Sequence, residues 1–387
     1  MKILIASDSY CFNTSGVANV VIALAAGLRR RGHDVRVLTL ANGGTSYRED
    51  DDFFIRSCPS LFYSDIRISF ARTDPLLDDL IRWKPDLIHL HTEASVARMA
   101  RTIAAATQAP VVMTAHTDYT YYVFGRFHTA RPVCALMRAL GKRVYGSAAE
   151  VTVPSEKARS FPQLQAVADR IVLIPNGIKL EQYQKPVSAE EKAALFRRWG
   201  LKDNGCTLVM ITRVSPEKNI MEILRFFPAL LREAPEAQLL IVGDGPDRKR
   251  LEGYCKRACL SERVRFTGMI PAGEVYRYYA MGDVFVSASL FEVHSLSNLE
   301  AMACGLPLVC REDTCLRGVL DHGENGFIYR TEQEFAQSVG KIIGDQALKE
   351  RMRANALRKA ETFSDRRFVE RMAEEYEKVL SSHSVQS

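Results

Sequence analysis

Two doubly wound α/β domains facing one another across a cleft are what this 387-residue sequence predicts. Three observations carry that expectation. Apolar strand signals alternate with amphipathic helix signals from end to end, the pattern of parallel strands joined by crossover helices. The rhythm pauses at the turn signal Pro175-Asn176-Gly177 and restarts after a charged helical stretch over 184–206. Polar residues recur where strand signals end, at Asp8, His91, His116, Arg213 and Glu292, and open α/β sheets bind ligands on that side. The expected domains are 1–177 and 178–387, with the last helix, about 365–380, available to cross back onto the first.

The bulk numbers agree with a soluble globular protein. Hydrophobic residues make up 47% and charged residues 25%, enough apolar material for two cores. No apolar run approaches the roughly 20 residues that span a bilayer. The first strand signal meets Asp8 too early for a signal peptide, which points to a cytoplasmic protein. Nine cysteines are scattered without a framework. Cys255 and Cys259 stand one helical turn apart with no His or Cys to complete a metal site, so they read as packed thiols of a reducing compartment. The net charge of +6 matters only where it is concentrated.

In the first half, strand signals fall at 3–6, 35–40, 86–90, 111–114, 151–153 and 171–174. Between the first two, a polar loop over 7–15 leads to Gly16, which opens an amphipathic helix that ends at Gly32-His33. Residues 41–60 are poor in pattern, and the acids at 49–52 read as a solvated loop rather than a metal site. His91 and His116 each follow a strand. A lone histidine is more often structural, but the mouth of a cleft favours a group that exchanges protons near neutral pH. The case is stronger for His116, beside Thr117 and Asp118, and weaker for His91. Gly16 lets a phosphate approach the helix backbone closely. There is no G-x-G-x-x-G and no Walker lysine motif.

In the second half, strand signals fall at 208–211, 239–242, 264–266 and 284–287, with a helix over 222–233. The loop after the first of them reads Arg213-Val214-Ser215-Pro216-Glu217-Lys218. A guanidinium fork and an ammonium five residues apart are able to clamp a diphosphate and neutralise it as it departs, without a metal. The plain alternative is a surface pair on a turn. The most informative stretch is 287–307, SASLFEVHSLSNLEAMACGLP. It reads strand, loop, helix, and the unpaired N–H groups at such a helix start suit an anion. Glu292 before the loop and Glu300 inside the helix are placed to accept from sugar hydroxyls on either side of a phosphate. Ser297-Asn298-Leu299-Glu300 is also a capping box, in which Glu300 does no more than satisfy a backbone N–H.

Together these motifs resemble the family 4 glycosyltransferases of the GT-B fold. The resemblance rests on Glu292 and Glu300 at that spacing, the TRVSPEKN loop, Gly243-Asp244-Gly245-Pro246, Pro175-Asn176-Gly177-Ile178 and the DLIHLHTE stretch over 86–93, in the right order along nearly the whole chain. The loop from Ser7 to Val17 and the segment 114–119 look most like the branch that glycosylates diacylglycerol. The resemblance implies retaining transfer of a hexose, glucose first, from a UDP-sugar, with no cofactor and no metal. Carried over by position, Arg213 and Lys218 bind the diphosphate, Glu300 the ribose, and Glu292 with the amides of His294, Ser295, Leu296 and Ser297 the sugar and phosphate. Gly16 and Val17 lie against the diphosphate from the other domain, and His116 sits by the sugar and the acceptor. The chain departs from the pattern at Thr212, where glycine is usual, at Lys179, where an acid is common, and at Val293-His294, which bears on the donor sugar.

The acceptor is read from 119–149, a stretch with no Asp or Glu. It carries Arg126, Arg131, Arg138, Lys142 and Arg143 interleaved with Tyr119, Tyr121, Tyr122, Phe124 and Phe127, and 133–145 reads as an amphipathic helix. Basic residues, interfacial aromatics and an apolar face suit an anionic membrane surface. An ordinary core helix with solvated bases is the alternative, and no nucleic-acid docking motif accompanies the patch. Asp8 joins this acceptor side. Three readings stand: a membrane-surface transferase with a lipid acceptor, the same fold acting on a soluble sugar or sugar phosphate, and a two-domain sugar-binding protein without catalysis.

Overall fold

The structure is a computed structural model and describes residues 1–11, 15–60, 67–118, 120 and 130–386. The chain divides into two compact units, 1–177 with 365–387, and 178–364. Both are α/β sheets with helices on their faces, the second wholly parallel and the first parallel except for one edge hairpin, the architecture of the GT-B fold.

Among its described residues the first unit contains ten strands: β1 (Lys2–Ala6), β2 (Asp34–Leu40), β3 (Tyr47–Glu49), β4 (Asp52–Ile55), β5 (Cys58–Pro59), β6 (Arg67–Ile68), β7 (Leu87–Leu90), β8 (Val111–Thr114), β9 (Glu150–Val153) and β10 (Ile171–Leu173). Eight of them form one sheet in the order β10-β9-β8-β7-β1-β2-β4-β3, while β5 and β6 make a separate short ribbon. Buried on both faces, the central strands are near-continuous apolar runs rather than alternating ones. The stretch 41–60 differs from its sequence reading. It holds the antiparallel β3–β4 hairpin, whose turn is Asp50-Asp51 with Asp50 at φ 49°. The apolar run Phe53-Phe54-Ile55 is only three residues long, and the acids in front of it masked the strand. Glu49, Asp50 and Asp51 are exposed, but Asp52 pairs with Arg29 at 2.7 Å.

The C-terminal helix Asp365–Gln386 belongs to this first unit. It packs on the helix Gly16–Arg30 so closely that a side chain at Gly27 would collide with Val369. Its Tyr376 hydroxyl reaches His89 Nδ1 on β7 at 2.6 Å.

The second unit is a six-stranded, wholly parallel sheet, β13-β12-β11-β14-β15-β16. Its strands are β11 (Thr207–Ile211), β12 (Gln238–Val242), β13 (Val264–Phe266), β14 (Val284–Ser287), β15 (Leu308–Arg311) and β16 (Gly326–Tyr329). The period-two geometry of a strand sends neighbours to opposite faces. Leu208, Met210, Leu239, Ile241, Val284 and Val286 therefore face the helix Ile220–Glu233 in one core. Val209, Ile211, Leu240, Val242 and Phe285 face the helix Leu296–Ala303 in the other.

Strand order also locates the sites. In the second unit, β12 and β13 lie on one side of β11 and β14 on the other, so the topology reverses between β11 and β14. In the first it reverses between β1 and β7. At such a switch point the loops leaving the two strands diverge and open a crevice at their carboxyl ends.

Candidate active site

In the second unit, the two loops at the switch point carry the donor residues expected from sequence. The loop after β11 runs from Thr212 to Asn219, and the loop after β14 runs from Ala288 to Ser295. They are tied together: Leu290 N–H donates to Glu217 O at 2.9 Å, and Lys218 Nζ donates to Glu292 Oε1 at 2.5 Å. Both side chains of that ion pair are about one-fifth exposed, so it is neither solvated nor sealed. Lys218, Glu292, Ser295 and Ser297 line one recess together with Thr212 and Ser289.

The Gly243-Asp244-Gly245-Pro246 turn is the support of this site. A Cβ on Gly243 would stand 2.0 Å from Thr212 O, and one on Gly245 2.2 Å from Val214 O. Gly243 also has φ 132°, which L-residues rarely adopt. The two glycines let the turn lie directly against the 212–218 loop. Val214 N–H then donates to Asp244 O and Asp247 N–H to Val214 O. Val214 is buried, while its neighbour Arg213 is exposed and Lys218 half-buried. The loop is thus anchored by an apolar side chain and by backbone, and its cations are turned outward.

Glu300 is not a cap. The helix starts at Leu296 with Ser295 as its N-cap, which leaves Ser297 inside the first turn. The Glu300 carboxylate accepts instead from Tyr279 Oη at 2.8 Å and from Tyr183. Burial raises its pKa above the usual carboxylate range, while the two tyrosine bonds pull the other way. Sequence reading missed both tyrosines, because helices far away in the chain deliver them and neither lies in a motif. His294 contributes its place in the loop rather than its ring. The imidazole is buried against Phe363, with centroids 5.8 Å apart, and neither ring nitrogen has a partner among the described residues. Burial lowers its pKa to about 4, so the ring is neutral. Ser295, Leu296 and Ser297 form the helix start whose N–H groups face no acid in the first turn.

In the first unit, the loops after β1 and β7 are joined by Asp8. Thr92 Oγ1 donates to Asp8 Oδ2 at 2.6 Å, and the Val96 N–H donates to Oδ1 at 3.1 Å. The carboxylate that sequence placed on the acceptor side is therefore committed to capping the helix Ser95–Thr107, whose own N-cap residue, Ala94, has no side-chain cap. Gly16 is exposed and Val17 half-buried at the start of the helix Gly16–Arg30, with Ser15 as its cap. No acid stands in that first turn, so the helix end favours an anion.

His116 is half-buried, two residues beyond β8. Its Nε2 lies 2.9 Å from Nδ1 of His91, which is buried. The two histidines weighed separately in the sequence are one hydrogen-bonded pair. No local pattern announces this, since the parallel register of β7 and β8 brings them together.

The helix expected at 133–145 spans Arg131–Tyr145. Met137, Gly141 and Tyr145 form its buried stripe, and Gly141 touches the backbone of Gln163 so closely that no side chain fits. Arg131, Arg138, Lys142 and Arg143 are exposed, as are Leu136 and Leu140 at 49% and 46%. Leu136 and Leu140, one turn apart, thus form an outward apolar strip among bases. Tyr119, Tyr121, Tyr122, Phe124, Arg126 and Phe127 lie outside the described residues. No described helix is long and apolar enough to cross a membrane.

Two parallel α/β units, each with its polar loops at a switch point and the second with paired charges beside a helix start, define the GT-B class of transferases. The model for Glycosyltransferase Family 4 matches residues 14–182, and that for Glycosyl transferases group 1 matches 191–359. The chain belongs to the family 4 glycosyltransferases. It is 29% identical to the alpha-monoglucosyldiacylglycerol synthase of Streptococcus pneumoniae, over 88% of this chain and 77% of that protein. With the enzyme of the same name from Acholeplasma laidlawii the identity is 28%, over 87% of each. Among solved structures, Anabaena HepE in complex with UDP superposes with a TM-score of 0.75 at 21% identity, covering 98% of this chain and all of that one. The catalytic domain of Arabidopsis thaliana starch synthase IV bound to ADP and acarbose gives 0.75 at 19%, covering 98% and 99%.

Proposed function

We propose that this glycosyltransferase moves a hexose, glucose first, from a UDP-sugar to diacylglycerol at a membrane surface, with retention of configuration and without a metal. The observation that carries the proposal is the Lys218–Glu292 pair at the switch point of the second unit, beside the start of the helix Leu296–Ala303. As the bond from the anomeric carbon to the diphosphate oxygen breaks, Lys218 and Arg213 take up the charge on UDP. The acceptor oxygen forms the new bond to that carbon and gives up its proton to the departing diphosphate oxygen. The diphosphate competes with Glu292 for the ammonium, which leaves the carboxylate for the hexose hydroxyls. Glu300, held by two tyrosines, offers its remaining acceptor positions to the ribose.

The lipid acceptor is supported by the exposed strip of the helix Arg131–Tyr145 and by the names of the two synthases. Bases around an outward Leu136–Leu140 strip suit an anionic leaflet, to which the protein binds peripherally from the cytoplasmic side. The test is UDP release from UDP-glucose, measured with and without vesicles containing diacylglycerol, and repeated in chelator. Release that rises with vesicles and persists in chelator is expected. Release driven equally by soluble sugars moves the acceptor into solution, and no release from any nucleotide sugar removes the catalytic reading.

A further inference from the structure

The His91–His116 pair has a direction, and the direction is set by what lies behind it. His91 is 1% exposed. Its Nδ1 meets His116 Nε2, and its own Nε2 is buried with no partner among the described residues. Behind it stands His89, ring centroids 4.0 Å apart, with both nitrogens occupied by Tyr376 and Thr114. Thr114 is in turn bonded to Thr152 at 2.5 Å. The His91 ring is thus packed against a neighbour that is itself fixed on both sides.

Only one nitrogen of a neutral imidazole carries hydrogen. If His91 accepted from His116, its hydrogen would sit on Nε2, a buried N–H without an acceptor. If His91 donates, Nε2 is a bare lone pair. An orphaned buried donor is the rarer and costlier of the two. A doubly protonated His91 is opposed by burial and by the two adjacent histidines.

We propose that His91 is a positioning residue: it donates from Nδ1 to His116 Nε2 and holds His116 as the Nδ1–H tautomer. On the reading that His116 faces the sugar and the acceptor, His116 then presents a hydrogen-bond donor to a hydroxyl. It does not take the acceptor's proton at Nε2, because a hydrogen there would point at the hydrogen on His91. The second histidine of the strand-end sequence His89-Leu90-His91 is the source of this control.

The test reads the tautomer directly, without substrate. In uniformly ¹⁵N-labelled protein, long-range ¹H–¹⁵N correlations separate a protonated ring nitrogen from a lone-pair one, and His116→Gln identifies the His116 signals. Nε2 of His116 is expected in the lone-pair range. His91→Leu should shift it toward a mixture of tautomers, and His91→Asn, whose amide N–H sits near the place of Nδ1, should restore it. In turnover of UDP-glucose, His91→Leu should lower kcat about tenfold, the worth of one hydrogen bond, with KM for the donor little changed, and His91→Asn should recover most of it. A protonated Nε2 on His116 in the parent, or an unchanged tautomer in His91→Leu, overturns the proposal. A parent without turnover overturns the functional reading alone, and the spectrum still decides the tautomer.

Discussion

The switch points of the two units share a topology and treat charge in opposite ways. At the β11/β14 switch point, a cation and a carboxylate on neighbouring loops are paired and one-fifth exposed, and two glycines brace the cation's loop from below. At the β1/β7 switch point, the acid, Asp8, has both oxygens consumed by a helix start and a threonine, and burial keeps the His91 imidazole uncharged. The first arrangement suits a ligand that brings charge, because exchanging one ion-pair partner for another costs little. The second suits hydroxyls, which need directed donors and acceptors but no countercharge. On the proposed function, one loop pair serves a diphosphate and the other an alcohol, and the difference lies in where the carboxylates go.

The largest effect is expected where the first unit does expose charge. Each base near an anionic surface is worth about 1 kcal/mol, so changing Arg138, Lys142 and Arg143 to Glu should remove on the order of 6 kcal/mol, counting loss and repulsion together. Sedimentation with anionic vesicles should be abolished, and hydrolysis of UDP-glucose in solution should remain. A variant that sediments like the parent places the membrane face elsewhere.

Next comes the clamp. Lys218→Ala should cost about 2–4 kcal/mol of barrier, roughly thirtyfold to a thousandfold in kcat. The thermal midpoint should move little, since a partly exposed pair is worth about 1 kcal/mol at most. Arg213→Ala should behave alike. Turnover at the parent's rate in either would erase the contrast between the two switch points.

Glu300→Gln sharpens the comparison further. It removes a charge and leaves an acceptor for the tyrosines. Affinity for UDP should fall about tenfold as a charge-assisted bond becomes a neutral one, while the unfolding midpoint stays close to that of the parent. A Gln variant with full affinity, measured by calorimetry, would return Glu300 to a structural role in the second core.

What was legible in the sequence followed periodicity and local spacing. Central strands of parallel sheets are unbroken apolar runs, so 3–6, 111–114 and 284–287 read correctly to within a residue. The Gly243-Asp244-Gly245-Pro246 turn was legible as a motif, but not the loop that it supports. Three things were hidden because they are made by distance in the chain. The partners of Glu300 come from two other helices, the His91–His116 bond from strand register, and the duty of Asp8 from a helix that begins at Ser95. The capping-box alternative for Ser297 to Glu300 fails because the helix begins at Leu296, with Ser295 as its N-cap. In 41–60 a three-residue apolar run behind four acids gave no period to read.

The smallest effect tests whether the first unit tolerates buried acids away from its switch point. Glu150 begins β9, and its carboxyl meets Glu375, which is 8% exposed on the C-terminal helix. Lys378 reaches Glu375 at 2.9 Å but leaves the pair one charge in excess. Burial first, and the second carboxyl next, push the Glu150 pKa up to about 8 from an ordinary 4.5. The folded state therefore holds a proton that the unfolded chain has released between those values. Stability falls wherever the folded state binds more protons than the unfolded one as pH rises, so this group should weaken the fold progressively from about pH 4.5 to about pH 8 and no further above. Glu150→Gln, which keeps the shape of the protonated acid, should match the parent near pH 4.5 and gain over it up to pH 8. Chemical denaturation across that range reads the difference. A gap between the two proteins that does not change with pH would mean that the C-terminal helix is held without a shared proton.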